Sequence, residues 1–162
     1  MNTVSTRLRG RWSHARNLVR FSALVFGLGV ALAIMGTQVQ AQRAIIINSD
    51  RGGVLDQYVR QVSQLSRSGQ RVELRGRCYS ACTLYLGLRN VCIHPSARFG
   101  FHGPSRSGTP LGQREFDHWS RMMANHYREP LRSWFLNTAR HRINGHHFRR
   151  GSELIAMGYR AC

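Results

Sequence analysis

Hydrophobic positions along this chain switch between two periods, and the switches lay out an α/β order. Ala44-Ile45-Ile46-Ile47-Asn48 is a continuous β-branched run, the pattern of a buried strand. Ser49-Asp50-Arg51-Gly52-Gly53 follows as a turn. Val54, Leu55, Tyr58, Val59, Val62 and Leu65 then recur at helical spacing, predicting an amphipathic helix that ends at Ser68-Gly69-Gln70. Arg71-Val72-Glu73-Leu74-Arg75 alternates as a second strand. Residues 76–79 predict a loop, 80–88 a short buried helix, 90–94 a third strand before Pro95, and 97–102 a fourth.

Residues 103–112 hold three glycines and two prolines and predict a loop. Residues 114–127 and 130–140 predict helices. Phe116, Trp119, Met122 and Met123 give the first an apolar face, read as core or a subunit contact; Leu131, Trp134, Phe135 and Leu136 serve the second. Pro130 suits a first helical turn. Residues 152–157 predict a final short helix. Strands alternating with helices imply right-handed crossovers and a mainly parallel sheet.

The N-terminal pattern is of another kind. Arg7, Arg9, Arg11, Arg16 and Arg20 precede an apolar stretch over 21–36, and Val39-Gln40-Ala41 resembles a small-residue cleavage site. This is the three-part form of a secretory signal over residues 1–41, too short in its apolar part for a typical membrane span. The alternative is an uncleaved N-terminal anchor, the only membrane association this reading includes. Either way the domain at 42–162 is exported, to the periplasm in the expected case. Its roughly 120 residues bury about two-thirds of their unfolded surface, enough for a core.

All 24 basic residues are arginines. Without the five N-terminal ones, 19 stand against seven acidic residues, a formal charge of +12. Such a charge favours anionic partners. The arginines are scattered, however, with no basic run and no interleaved aromatic motif, which argues against a nucleic-acid partner. The lack of lysine excludes a serine–lysine dyad. The cysteines, Cys78, Cys82, Cys92 and Cys162, are even in number, which in an exported chain favours disulfides over metal. Three pairings are open; Cys82–Cys92 would tie the helix after Ser80 to the next strand.

Chemistry concentrates at two turns. Residues 48–53 and 76–81 each follow a strand and open a helix, so both lie at the carboxyl edge of a parallel sheet, where ligands bind. Ser80 starts the second helix and His102 ends a neighbouring strand, which fits a nucleophile and its base. Backbone N–H groups near Gly52, Gly53 and Ala81 can form an oxyanion hole. Acyl transfer by this set calls for no cofactor and no metal. Each residue also has a structural reading: Ser80 as a helix cap, His102 as a strand-end histidine bonded to backbone, the glycines as turn residues. His141, His146 and His147 fit solvated histidines better than metal ligands.

These segments resemble the Clp protease proteolytic subunit family. Ile47-Asn48-Ser49-Asp50-Arg51-Gly52-Gly53-Val54 is similar to its Ile-Asn-Ser-Pro-Gly-Gly loop, with Arg51 as an insertion. Ser80-Ala81 before an apolar helix is similar to its nucleophile segment. Residues 95–104 resemble its Pro-x-Ser-Arg-x-x-x-His-x-Pro segment, and residues 152–159 its late helix. The resemblance spans residues 45–159. It implies a ClpP/crotonase-like fold of stacked ββα units with a mainly parallel sheet, shortened here. It also implies a peptidase with Ser80 as nucleophile and His102 as base, a peptide or protein substrate, and a homo-oligomeric ring. The cysteine-flanked serine is closest to exported relatives. One departure is large: the family's third member is an aspartate before the late helix, and residues 136–150 contain no acidic residue. Asn144 is the nearest group to orient His102, though Asn144-Gly145 is also a turn signal. The departure leaves a second reading, an inactive exported domain that binds or assembles.

Overall fold

The computed structural model describes residues 43–162; the signal-like segment, residues 1–41, lies outside them. Described in order are β1 (Ile45–Asp50), α1 (Leu55–Ser68), β2 (Val72–Tyr79), a 3-10 segment (Ser80–Gly87), β3 (Val91–Ile93) and β4 (Arg98–Phe101). Then come β5 (Ser105–Arg106), β6 (Thr109–Pro110), α2 (Gln113–Ala124), α3 (Leu131–Asn137), a 3-10 turn (Ala139–His141), β7 (His147–Arg150) and α4 (Gly151–Ala156).

The architecture is mixed α/β with a mostly parallel sheet. Its order is β1-β2-β4-β7, with β3 also pairing β2. β1, β3 and β4 run parallel to β2, and β7 runs antiparallel to β4. β3 and β4 lie end to end along β2: Ile93 pairs Leu74, and Arg98 pairs Arg77. Residues 94–97 bulge between them, closed by the Ala97 N–H on the His94 carbonyl at 2.9 Å.

One face of the sheet carries the core. Val72, Leu74, Cys78, Phe99 and Phe101 point inward and pack with Val62 of α1, Leu84 and Leu86 of the 3-10 segment, Met123 of α2, and Leu131 and Phe135 of α3. Each fully buried Phe or Leu contributes about 1.5–3 kcal/mol by leaving water. On the other face Arg75, Arg77, Arg98, Phe148 and Arg150 are exposed.

The structure corrects several expectations. β1 is an edge strand, with Ile45 and Ile46 38% and 47% exposed, so its apolar run does not mark double-sided burial. Residues 76–79 continue β2 where a loop was expected. The segment opened by Ser80 is 3-10, not α: it must turn sharply off the strand, and Thr83 Oγ1 bonds the Ser80 carbonyl at 2.6 Å. The helix expected over 114–127 ends at Ala124, and that over 130–140 divides into α3 and a 3-10 turn, with Pro130 just before α3. The 103–112 loop holds the β5–β6 hairpin, turned by Ser107-Gly108 at positive φ. β7 had no counterpart in the sequence pattern. Its exposed faces carry Phe and Arg, so hydrophobic alternation is missing.

The cysteines pair as Cys78–Cys82 and Cys92–Cys162, not Cys82–Cys92. Cys82 follows the turn back toward β2, whereas Cys92 lies on β3 beside the C-terminal segment. There Ile93 donates to the Arg160 carbonyl at 2.9 Å, and the Cys162 N–H reaches the Ile93 carbonyl at 3.0 Å. Two disulfides are consistent with an exported protein. Among the described residues no helix is long and apolar enough to cross a membrane.

Candidate active site

Two turns at the carboxyl edge of the sheet meet in one place. After β1, Asp50 Oδ1 accepts from the Gly52 N–H at 2.8 Å and from the Tyr58 hydroxyl at 2.7 Å, fastening the turn to α1. Gly52 has φ +80, and a Cβ there would stand 2.7 Å from Ala81 N, Ser80 Cβ and the Tyr79 oxygen. Only glycine brings the first turn this close to the second.

Ser80 leaves β2 with φ 56, a left-handed conformation that non-glycine residues adopt at a cost of order 1–3 kcal/mol. Three features hold it. The Cys78–Cys82 disulfide spans the turn with Cα atoms 5.3 Å apart. Thr83 Oγ1 donates to the Ser80 carbonyl at 2.6 Å. Because that proton is committed, the buried Tyr127 hydroxyl donates to Thr83 Oγ1, at 2.7 Å. Neither Thr83 nor Tyr127 stood out in the sequence, since each reads as an ordinary position on a helical face.

His102 follows β4, and its Nδ1 lies 2.7 Å from the Gly103 carbonyl. A carbonyl only accepts, so Nδ1 carries the proton and Nε2 keeps the basic lone pair. Burial holds the His102 pKa below the usual histidine range, against the opposing pull of the Gly103 bond. Gly103 is itself clamped: its N–H donates to the Arg142 carbonyl at 2.9 Å, and a Cβ would overlap the Arg140 carbonyl oxygen. Asn144 does not take the orienting role. Its Oδ1 faces Gly108 at the hairpin turn, while the His102 Nδ1–H is taken by backbone.

Ser80, Ala81, His102, Gly52 and Gly53 line a single cleft of about 750 Å³. Leu111, Trp119 and Met123 add an apolar wall, and the charged lining is balanced, Arg51 and Arg106 standing against Asp56 and Glu115. Trp119 and the buried Met123 thus both line the cleft. Of the three expected oxyanion donors, the Gly52 N–H is already bonded to Asp50. That leaves Gly53 and Ala81, and the Ala81 N–H precedes the first bond of the 3-10 segment.

His146, expected from the sequence to be a solvated histidine, is half-buried and lines the cleft. Its ring meets His102 edge to face with centroids 4.9 Å apart, and it also packs against Tyr79 at 5.3 Å. Burial lowers its pKa, with the neighbouring His102 adding to the shift. It stands just ahead of β7, so finding it required recognising that strand. His141 and His147 go elsewhere, beside Phe116 and Trp134 respectively. Among the described residues the grouped metal-type ligands are Glu73, Cys92 and Cys162, whose sulfurs are tied up in a disulfide. The arrangement places a serine hydroxyl, a histidine with its Nε2 lone pair and the backbone of two turns on the lining of one cleft. Comparison of the chain with protein-family models and with curated proteins finds no match.

Proposed function

We propose that the chain is an exported, periplasmic serine hydrolase acting on peptide or protein acyl bonds. Ser80 attacks the carbonyl, and His102 Nε2 takes the hydroxyl proton and returns it to the leaving amine. Gly53 and Ala81 N–H groups receive the oxyanion. The observation that carries this reading is Ser80 itself: a non-glycine residue at φ 56, between a strand end and a tight turn, facing the same cleft as a histidine with its basic nitrogen free. Such a half-buried, strained serine, leaving a strand into a tight turn, matches the geometry of a nucleophile elbow. The family resemblance in the sequence supports the same roles and a shortened ClpP/crotonase-like fold.

The test is labelling with a fluorophosphonate, which traps a serine activated by a base. The protein should label, and Ser80→Ala and His102→Ala should each lose the label; labelling that survives Ser80→Ala overturns the assignment. A second reading, an inactive domain that binds peptides, draws on one observation: a backbone carbonyl stands behind His102 where a carboxylate would stabilise the imidazolium. That reading expects no label on a normally folded protein.

A further inference from the structure

We propose that the open face of the sheet docks on anionic phospholipid membranes through a row of arginines contributed by three strands. Backbone register sets the row. Arg77 of β2 pairs Arg98 of β4, and Arg98 pairs Arg150 of β7. All three are exposed on the face away from the core. Neighbouring strands are about 4.8 Å apart, so three guanidinium groups stem from a line about 10 Å long. Like charges directly opposite across strands are unfavourable, and here they occur twice in succession.

The same face shows what a self-neutralised arrangement looks like. Arg71 and Arg75 share Glu73 at 2.9 and 2.6 Å. Among the described residues no carboxylate lies within ion-pair distance of Arg77, Arg98 or Arg150. The groove beside the row, about 580 Å³, contains one acidic residue, Glu153. Its carboxylate is occupied by Arg149 Nη1 at 3.1 Å and by the Arg150 backbone N–H. The row is therefore a positive surface without an internal counter-ion.

One step along the strands, the register places Tyr79, Gly100 and Phe148 in the next row. Phe148 is 49% exposed, and Ile46 is exposed on β1 at the far side of this face. Charge beside exposed aromatic and aliphatic groups on one sheet face matches a lipid interface, where phosphates meet arginines and rings enter the headgroup boundary. A single-stranded nucleic acid fits less well. Tyr79 and Phe148 meet edge to face at 66°, and the Arg98 guanidinium already covers the Phe148 ring at 5.2 Å, so no parallel platform is open for bases. The proposal is independent of whether Ser80 reacts.

Co-sedimentation of the exported protein, as the cell processes it, tests the docking. The probes are vesicles of phosphatidylcholine alone, vesicles with equal parts phosphatidylglycerol, and an oligothymidylate. Binding should require phosphatidylglycerol and fall with added salt. Arg98→Gln with Arg150→Gln should weaken it by about five-fold per charge. Arg60→Gln with Arg67→Gln, which removes the same charge from α1, should leave it unchanged, as should either pair for the fluorophosphonate reaction. Equal losses from the two pairs would reduce the effect to net charge and overturn the site. Binding without lipid preference, or to the oligothymidylate in place of vesicles, would overturn the membrane assignment.

Discussion

Gly52 and Ser80 are in direct contact: a Cβ on Gly52 would sit 2.7 Å from the Ser80 Cβ. The β1 turn is thus the floor on which the Ser80 turn rests. Gly52→Ala adds a clash with backbone and a strained φ, so it should destabilise the protein by about 1–3 kcal/mol and abolish fluorophosphonate labelling. Gly53→Ala meets only Tyr58 Cε2 at 3.5 Å and keeps its N–H, so it should melt near the parent temperature and still label. Thermal melts and labelling of the two variants separate these outcomes; equal behaviour would contradict the contact.

The left-handed Ser80 predicts an asymmetry between two inactive variants. Ser80→Ala keeps a side chain at φ 56, whereas Ser80→Gly removes the steric cost. Both should be unreactive, and the glycine variant should be the more stable by about 1 kcal/mol. Denaturant unfolding of the pair measures this. A glycine variant less stable than the alanine one would mean that the turn is not strained.

Behind the turn, Tyr127, Thr83 and the Ser80 carbonyl form a chain of two hydrogen bonds. Thr83→Val keeps the volume but leaves a buried hydroxyl and a carbonyl without their partner, at a cost of about 1–3 kcal/mol each. Its melting point should fall clearly. Tyr127→Phe removes only the outer bond and should cost less, with labelling largely retained.

The lowered pKa of His102 gives a signed pH prediction. In the proposed reaction the competent base is the neutral imidazole, and burial favours that form. Labelling should therefore persist to a lower pH than for an exposed histidine, with an acid limb below about 6.5. Stability follows the same sign. A histidine whose folded pKa is depressed contributes fully above its unfolded pKa, and that contribution is lost as pH falls below it. A labelling profile with its acid limb above the ordinary histidine value would exclude His102 as this buried base.

The disulfides predict unequal losses. Cys92–Cys162 bridges a sequence separation of 70 and docks the C-terminal segment on β3, so replacing both by alanine should cost about 4 kcal/mol. Cys78–Cys82 bridges a separation of 4; its loss should cost about 2 kcal/mol but diminish labelling more, because it spans the Ser80 turn. Non-reducing peptide mapping checks the pairing itself.

Much of the fold was legible because period and punctuation agree in its first half. The α1 spacing, Gly69 as its left-handed cap, and the alternation over 71–75 each state one structure. The two turns at the carboxyl edge were legible for the same reason. What the sequence did not carry are relations between distant segments. β7 pairs with β4 through backbone bonds that no hydrophobic alternation announces, and His146 reaches the cleft only through that pairing. The orienting group for His102 was sought among side chains, yet a neighbouring carbonyl fills the place. The arginines look scattered in sequence because 77, 98 and 150 become neighbours only through strand register.

The two disulfides also differ in when they can close. Cys82 leads Cys162 by 80 residues, so during amino-to-carboxyl passage across a membrane the Cys78–Cys82 bridge can form while the other still lacks its partner. The Ser80 turn is then oxidised before β3 gains the C-terminal segment at its side. Under the proposed export, an order of assembly follows: Ser80 turn first, sheet closure second.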